Sequence, residues 1–96
     1  MAYAVVAHYR CAPADADLIR DALLKMREAT RAEPANLEYV VHAGAGEPGT
    51  FVLYEVYTDR AGFDAHAASP HFAEHIAGVV RPRLLDRSVA FAEVLP

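Results

Sequence analysis

The sequence predicts an α+β fold of the ferredoxin-like split βαββαβ kind, built on one four-stranded antiparallel sheet. Three observations carry this reading. Several segments alternate apolar and other residues with period two, a long segment between the first two of them has apolar residues at helical spacing, and a glycine-rich connection joins the second strand to the third. A helix pair before the last strand completes the order strand, helix, strand, strand, helix pair, strand.

In the first strand, Tyr3 to Cys11, residues Tyr3, Val5, Ala7 and Tyr9 alternate with Ala4, Val6, His8 and Arg10, and Pro13 ends it. The segment ADADLIRDALLKMREATRAEP then places Ile19, Ala22, Leu23, Met26 and Thr30 on one helical face. Acids near its start and bases toward its end suit the helix dipole, and Pro34 stops it. Leu37 to Ala43 alternates again, GAGEPGT turns the chain, and Phe51 to Thr58 returns as the partner of an antiparallel hairpin. Asp59 caps a short helix from Arg60 to about Ala67, Ser69 and Pro70 start a third helix that ends before Pro82, and Ser88 to Leu95 is the last strand. With no repeat, low-complexity tract or linker, residues 1–96 read as a single domain.

Both faces of the third strand are apolar: Phe51, Leu53 and Tyr57 on one, Val52, Tyr54 and Val56 on the other. Helices can cover only one of them, so the sheet is expected to pack its other face on a second copy, as a homodimer in a dimeric α+β barrel. Composition points the same way. Of 52 apolar residues in 96, 20 are alanine, which leaves 32 larger side chains to close a core and predicts an isolated monomer of low stability.

Nine Lys and Arg against 13 Asp and Glu provide no basic stripe for nucleic acid. Arg81, Arg83 and Arg87 read as a solvated helix end. The one cysteine, Cys11, lacks a partner for a disulfide or a metal-binding spacing, and reads as an inert strand residue of a cytoplasmic protein. No export signal or membrane-length apolar run is evident, and no glycine-rich phosphate loop precedes a helix.

Five histidines are the most informative polar residues, and His66, His71 and His75 fall within FDAHAASPHFAEH. By helical geometry His66 borders the core near Phe63, His75 borders the stripe Phe72, Ile76, Val79 and Val80, and His71 turns toward solvent. Glu55 shares its strand face with apolar residues, so burial should raise its pKa unless an imidazole pairs with it. A metal set of His71, His75 and Glu55 lacks a recognised spacing, and no metal site is expected. The aromatic set Tyr3, Tyr9, Tyr39, Tyr54, Tyr57 and Phe72 suits either core packing or a flat ligand.

The run YEVYTDRAGFDAHAASPHFAEHIAGVVRPRL, Tyr54 to Leu84, resembles the antibiotic biosynthesis monooxygenase domain family, including its quinol monooxygenase-like members. Glu55, Tyr57, Asp59, Phe63, His66, Ser69, His71 and Phe72 carry the resemblance. It implies a dimeric α+β barrel with a pocket between helices and sheet, in which a small aromatic quinol or phenol is oxidised by molecular oxygen without metal, flavin or haem. On that reading His66 is the base, Glu55 orients or polarises it, and His75 or Tyr39 is a second donor. Substrate contacts are expected from His8, Tyr39, Tyr54, Phe63, His71 and Phe72. Haem-degrading relatives resemble the chain less, because His8 and His66 stand where those enzymes have Asn and Trp, and this chain has no Trp. The alternatives are a small-molecule binding or stress-response domain without turnover, and an isomerase that uses the His/Glu pair.

Overall fold

Alternating side chains make Tyr3–Cys11 a strand, β1, whose Val5, Ala7, Tyr9 and Cys11 are all buried in the computed structural model, which describes Met1–Pro96. A short turn of helix at Pro13–Asp15 leads into α1, Ala16–Arg31. The buried residues of α1 are Ile19, Ala22, Leu23, Met26 and Thr30, the stripe its periodicity predicts. The strands β2, Asn36–Ala43, and β3, Thr50–Tyr57, pair as an antiparallel hairpin. After α2, Arg60–Ala67, and a third helix, α3, Phe72–Val80, a short turn at Arg81–Arg83 leads into β4, Leu84–Glu93.

The sheet order is β2-β3-β1-β4, antiparallel throughout, which is the ferredoxin-like arrangement. One face carries α1 and α3 and the main core, in which Leu23, Met26, Leu53, Ile76 and Val80 are almost fully enclosed. Leu23→Ala is expected to cost about 2–5 kcal/mol by removing buried methyls and leaving a cavity, and urea denaturation of the variant measures it. Gly49 closes the hairpin end. Its φ is 87°, and an added Cβ would lie 2.4 Å from the Cys11 carbonyl oxygen, so only glycine lets this turn dock on the end of β1.

Two elements differ from the sequence expectation. The last strand runs from Leu84 rather than Ser88 and ends at Glu93 rather than Leu95, because β1 offers pairing partners as far as Cys11, opposite Leu84 across a register shift. Arg87 therefore stands on a strand, on the same face as its partner Tyr9, and not at a solvated helix end. In addition, α3 winds with i→i+5 hydrogen bonds, as in the bond from the Arg81 amide to the Ile76 carbonyl. Its apolar side is nevertheless the one the sequence predicts: Ile76 and Val80 are buried, with Phe72 and Val79 packed against the core.

The opposite sheet face carries no helix. Val6, Val40, Val52, Tyr54, Ala90 and Ala92 lie across it, with Tyr54 40% exposed, while His8, Arg10, Asp86 and Ser88 make one end polar. No helix is long and apolar enough to cross a membrane.

Candidate active site

A cavity of about 130 Å³ lies between the sheet and the helices α2 and α3. Val5, Ala7, Ile76 and Val89 form its apolar wall, Phe63, Phe72, Phe91, Tyr9 and Tyr39 its aromatic wall, and Glu55 and His66 its buried polar end. Arg81 and Arg87 stand at its rim.

Local sequence explains how His66 arrives there. Asp59 Oδ1 accepts the Gly62 amide at 2.9 Å and starts α2. Gly62 then lets that first turn lie against the α1–β2 connection, since a Cβ there would come within 2.7 Å of the Ala35 Cβ. One turn later His66 is 2% exposed and ringed by Tyr57, Phe63 and Phe72, with centroids at 5.2, 6.0 and 5.4 Å. Ser69 fixes the next corner: its hydroxyl donates to the His66 carbonyl at 2.7 Å and accepts the Phe72 amide at 3.2 Å.

Glu55 points inward from the middle of β3 and is 5% exposed. The Tyr57 hydroxyl donates to its Oε1 at 2.7 Å, and His66 Nε2 lies 3.6 Å from the same oxygen, beyond direct hydrogen-bond reach. Burial pushes the Glu55 carboxyl up to about 7, with Glu33 adding to the rise and the Tyr57 bond opposing it. Burial also lowers the His66 pKa, an effect that the hydrogen bond and charge of Glu33 partly offset. Near neutral pH the site thus holds a neutral imidazole beside a carboxyl poised to titrate. Burial raises the tyrosines as well: Tyr9 to about 12, and Tyr39 and Tyr57 well up, so all three remain O–H donors.

The Glu55 shift predicts a pH signature. Because the folded state holds this proton more tightly than the unfolded chain, its contribution to stability is complete below about 4.5 and is lost as pH rises through about 7. The lowered His66 pKa acts in the opposite sense, its contribution being present above 6.5 and lost as pH falls. Glu55→Gln removes only the first effect. Urea midpoints should show the variant gaining stability relative to wild type on going from about pH 5 to about pH 8.

Of the residues singled out in the sequence, His66, Glu55, Tyr39, Phe63 and Phe72 meet in this cavity. His71 stands behind His66, where its Nε2 and His66 Nδ1 both contact Glu33 Oε2, at 2.5 and 2.9 Å. His75, at the border of the apolar stripe of α3, does not line the cavity; its Nε2 lies 3.9 Å from Glu74 Oε2. His8 and Tyr54 are also elsewhere, because their strand parity is opposite to that of Tyr9 and Glu55 and places them on the helix-free face. His8 there borders a larger, open and more polar cleft of about 330 Å³, which holds neither His66 nor Glu55.

A scan of family models matches residues 2–78 to the family described as antibiotic biosynthesis monooxygenase. The chain belongs to that family. Among solved structures, one titled as an antibiotic biosynthesis monooxygenase is 28% identical, with a TM-score of 0.90 over 98% of this chain and 99% of that one. Rv0793 from Mycobacterium tuberculosis is 29% identical, with a TM-score of 0.89 over 100% and 97% of the two chains. PA3566 from Pseudomonas aeruginosa, at 22% identity and a TM-score of 0.89 over 99% and 95%, shares the fold. No curated protein sequence matches this chain.

Three residues of this antibiotic biosynthesis monooxygenase domain escaped the sequence reading. Glu33 lies at the helix-ending Glu-Pro step, which reads only as a stop signal. Arg81 and Arg87 are exposed, as the sequence suggests, but they also border the cavity without a carboxylate partner, and the Arg81 guanidinium sits over the Phe72 ring at 5.1 Å. Glu33, His66 and His71 also form a cluster whose donor atoms all lie within 4.8 Å of one another. A divalent ion there would need lone pairs on both ring nitrogens, whereas an ionised Glu33 carboxylate, with only lone pairs to offer, calls for a proton on each ring nitrogen that faces it. Cys11 is buried with a raised pKa, which favours the unreactive thiol.

Proposed function

We propose that the cavity binds a small aromatic quinol or phenol and oxidises it with molecular oxygen, in a homodimer joined through the helix-free sheet faces and with no metal, flavin or haem. The observation that carries this reading is a buried imidazole, His66, beside a buried carboxyl, Glu55, at one end of an aromatic-lined cavity of about 130 Å³. That volume is close to the ~150 Å³ cavity that admits benzene, and so favours a single ring.

His66 Nε2 takes the substrate hydroxyl proton, and the resulting anion is electron-rich enough to pass an electron to oxygen. Recombination forms a ring-bound peroxide, whose collapse leaves one oxygen atom on the ring. The other departs as water with two hydrogens from the substrate. Glu55, when protonated, and the tyrosine hydroxyls can donate to the developing oxyanion, and Arg81 and Arg87 offer unpaired positive charge at the rim.

The test is oxygen uptake with a panel of reduced quinones and phenols, with isotopically labelled oxygen traced into the product. Turnover with one labelled atom per product supports the reading. Turnover that persists without oxygen would instead select proton-transfer isomerisation by the same pair, and ligand-induced thermal shifts with no product would select a binding domain.

A further inference from the structure

Glu33 lies just beyond the end of α1 and is tied by its backbone: its amide donates to the Thr30 carbonyl at 2.9 Å, and its carbonyl accepts the Asn36 amide at 3.2 Å. Its side chain turns inward to meet two imidazoles at one oxygen, His66 Nδ1 at 2.9 Å and His71 Nε2 at 2.5 Å. The three groups come from three separate elements. They step from a largely enclosed ring, His66, through the mostly buried Glu33 to the partly open ring of His71.

An ionised carboxylate has only lone pairs to offer, so the nitrogens facing it are the protonated ones. His66 is then the Nδ1–H tautomer, and in a neutral ring the lone pair must sit on Nε2. That atom faces the cavity and has no hydrogen-bond partner, since Glu55 Oε1 is 3.6 Å away. The opposite tautomer would put a proton where a base needs a lone pair and leave Glu33 Oε2 facing a second acceptor.

We propose that Glu33 and His71 are positioning residues that lock His66 in the Nδ1–H tautomer, leaving Nε2 free to take the substrate proton. Glu33 would also hold the imidazolium that forms when it does. His71 acts one step further back, as the second donor that aims the Glu33 oxygen at His66. This inference rests on His66 being the base, but its main readout does not depend on turnover.

The experiment is nitrogen-15 NMR of histidine-labelled protein, which distinguishes pyrrole-type from pyridine-type ring nitrogens, combined with steady-state oxygen uptake. Wild type should show His66 with Nδ1 protonated and Nε2 bare. In Glu33→Ala the preference should be lost, with kcat down about 10²-fold and KM changed less than about twofold. Glu33→Gln retains an acceptor oxygen, so it should keep the tautomer while losing the charge, with kcat down about tenfold. His71→Ala should weaken the preference with the carboxylate still present.

Nε2–H as the wild-type form would overturn the proposal. So would an unchanged Nδ1–H signal in Glu33→Ala, or a tightly bound stoichiometric zinc ion that His71→Ala removes. The wild-type measurement needs no variant, so a Glu33→Ala protein that does not fold leaves the proposal open to refutation. The expected tautomer pattern with no oxygen uptake on any substrate would refute the oxygenase reading while supporting the positioning role.

Discussion

His66→Ala should lower kcat/KM for oxygen uptake by about 10³-fold, within the range expected for loss of a positioned proton acceptor. No other neutral imidazole borders the cavity, and the tyrosines there are held protonated, with Tyr9 raised to about 12. Removing the ring also leaves Glu33 without one of its two donors, which should cost about 1–3 kcal/mol of stability. The kinetic loss therefore has to be measured on protein shown by circular dichroism to be folded. Glu55→Ala should lower the rate less, because Glu55 contributes a hydrogen bond and a charge beside the base rather than the accepting atom. Equal oxygen uptake by wild type, His66→Ala and Glu55→Ala would remove both residues from the mechanism.

Tyr54→Glu should convert dimers to monomers, raising the dissociation constant by at least about 10²-fold in sedimentation measurements. Tyr54 lies at the middle of the helix-free face, between Val6 and Val40 in register, and is 40% exposed when the chain stands alone. In a two-fold interface each such substitution places two carboxylates in what would otherwise be an apolar layer. Because only 21 of 96 residues are buried in the single chain, the variant should also unfold at lower temperature. A wild-type chain that is monomeric and fully stable at nanomolar concentration would contradict the dimer.

The order of elements was legible because each depends on neighbours close in sequence. The stripe Ile19, Ala22, Leu23, Met26 and Thr30 recurs with the helical period and is the set that α1 buries. Asp59 three residues before Gly62 signals the cap that is observed. Glu55 and His66 stood out for the same reason, as polar side chains inside apolar patterns.

The misplaced residues have two causes. His8 and Tyr54 were included for their chemistry, although the period-two geometry that placed Val5 and Glu55 inside puts them on the opposite face. His75 borders the stripe Phe72, Ile76, Val79 and Val80 as its helical position indicates, but only Phe72 and Ile76 of that helix line the cavity, and which part of the stripe meets it depends on how the helix docks on the sheet.

Periodicity, caps and turn residues, all acting over a few positions, were enough to establish a split α+β sheet and a buried carboxylate near an imidazole. The carboxylate of Glu33 against His66, 33 positions away, came from the closing of the fold, as did the placing of Arg81 and Arg87 at the cavity rim. Such contacts are made by side chains from different elements brought together when the core closes, and no spacing along one element encodes them.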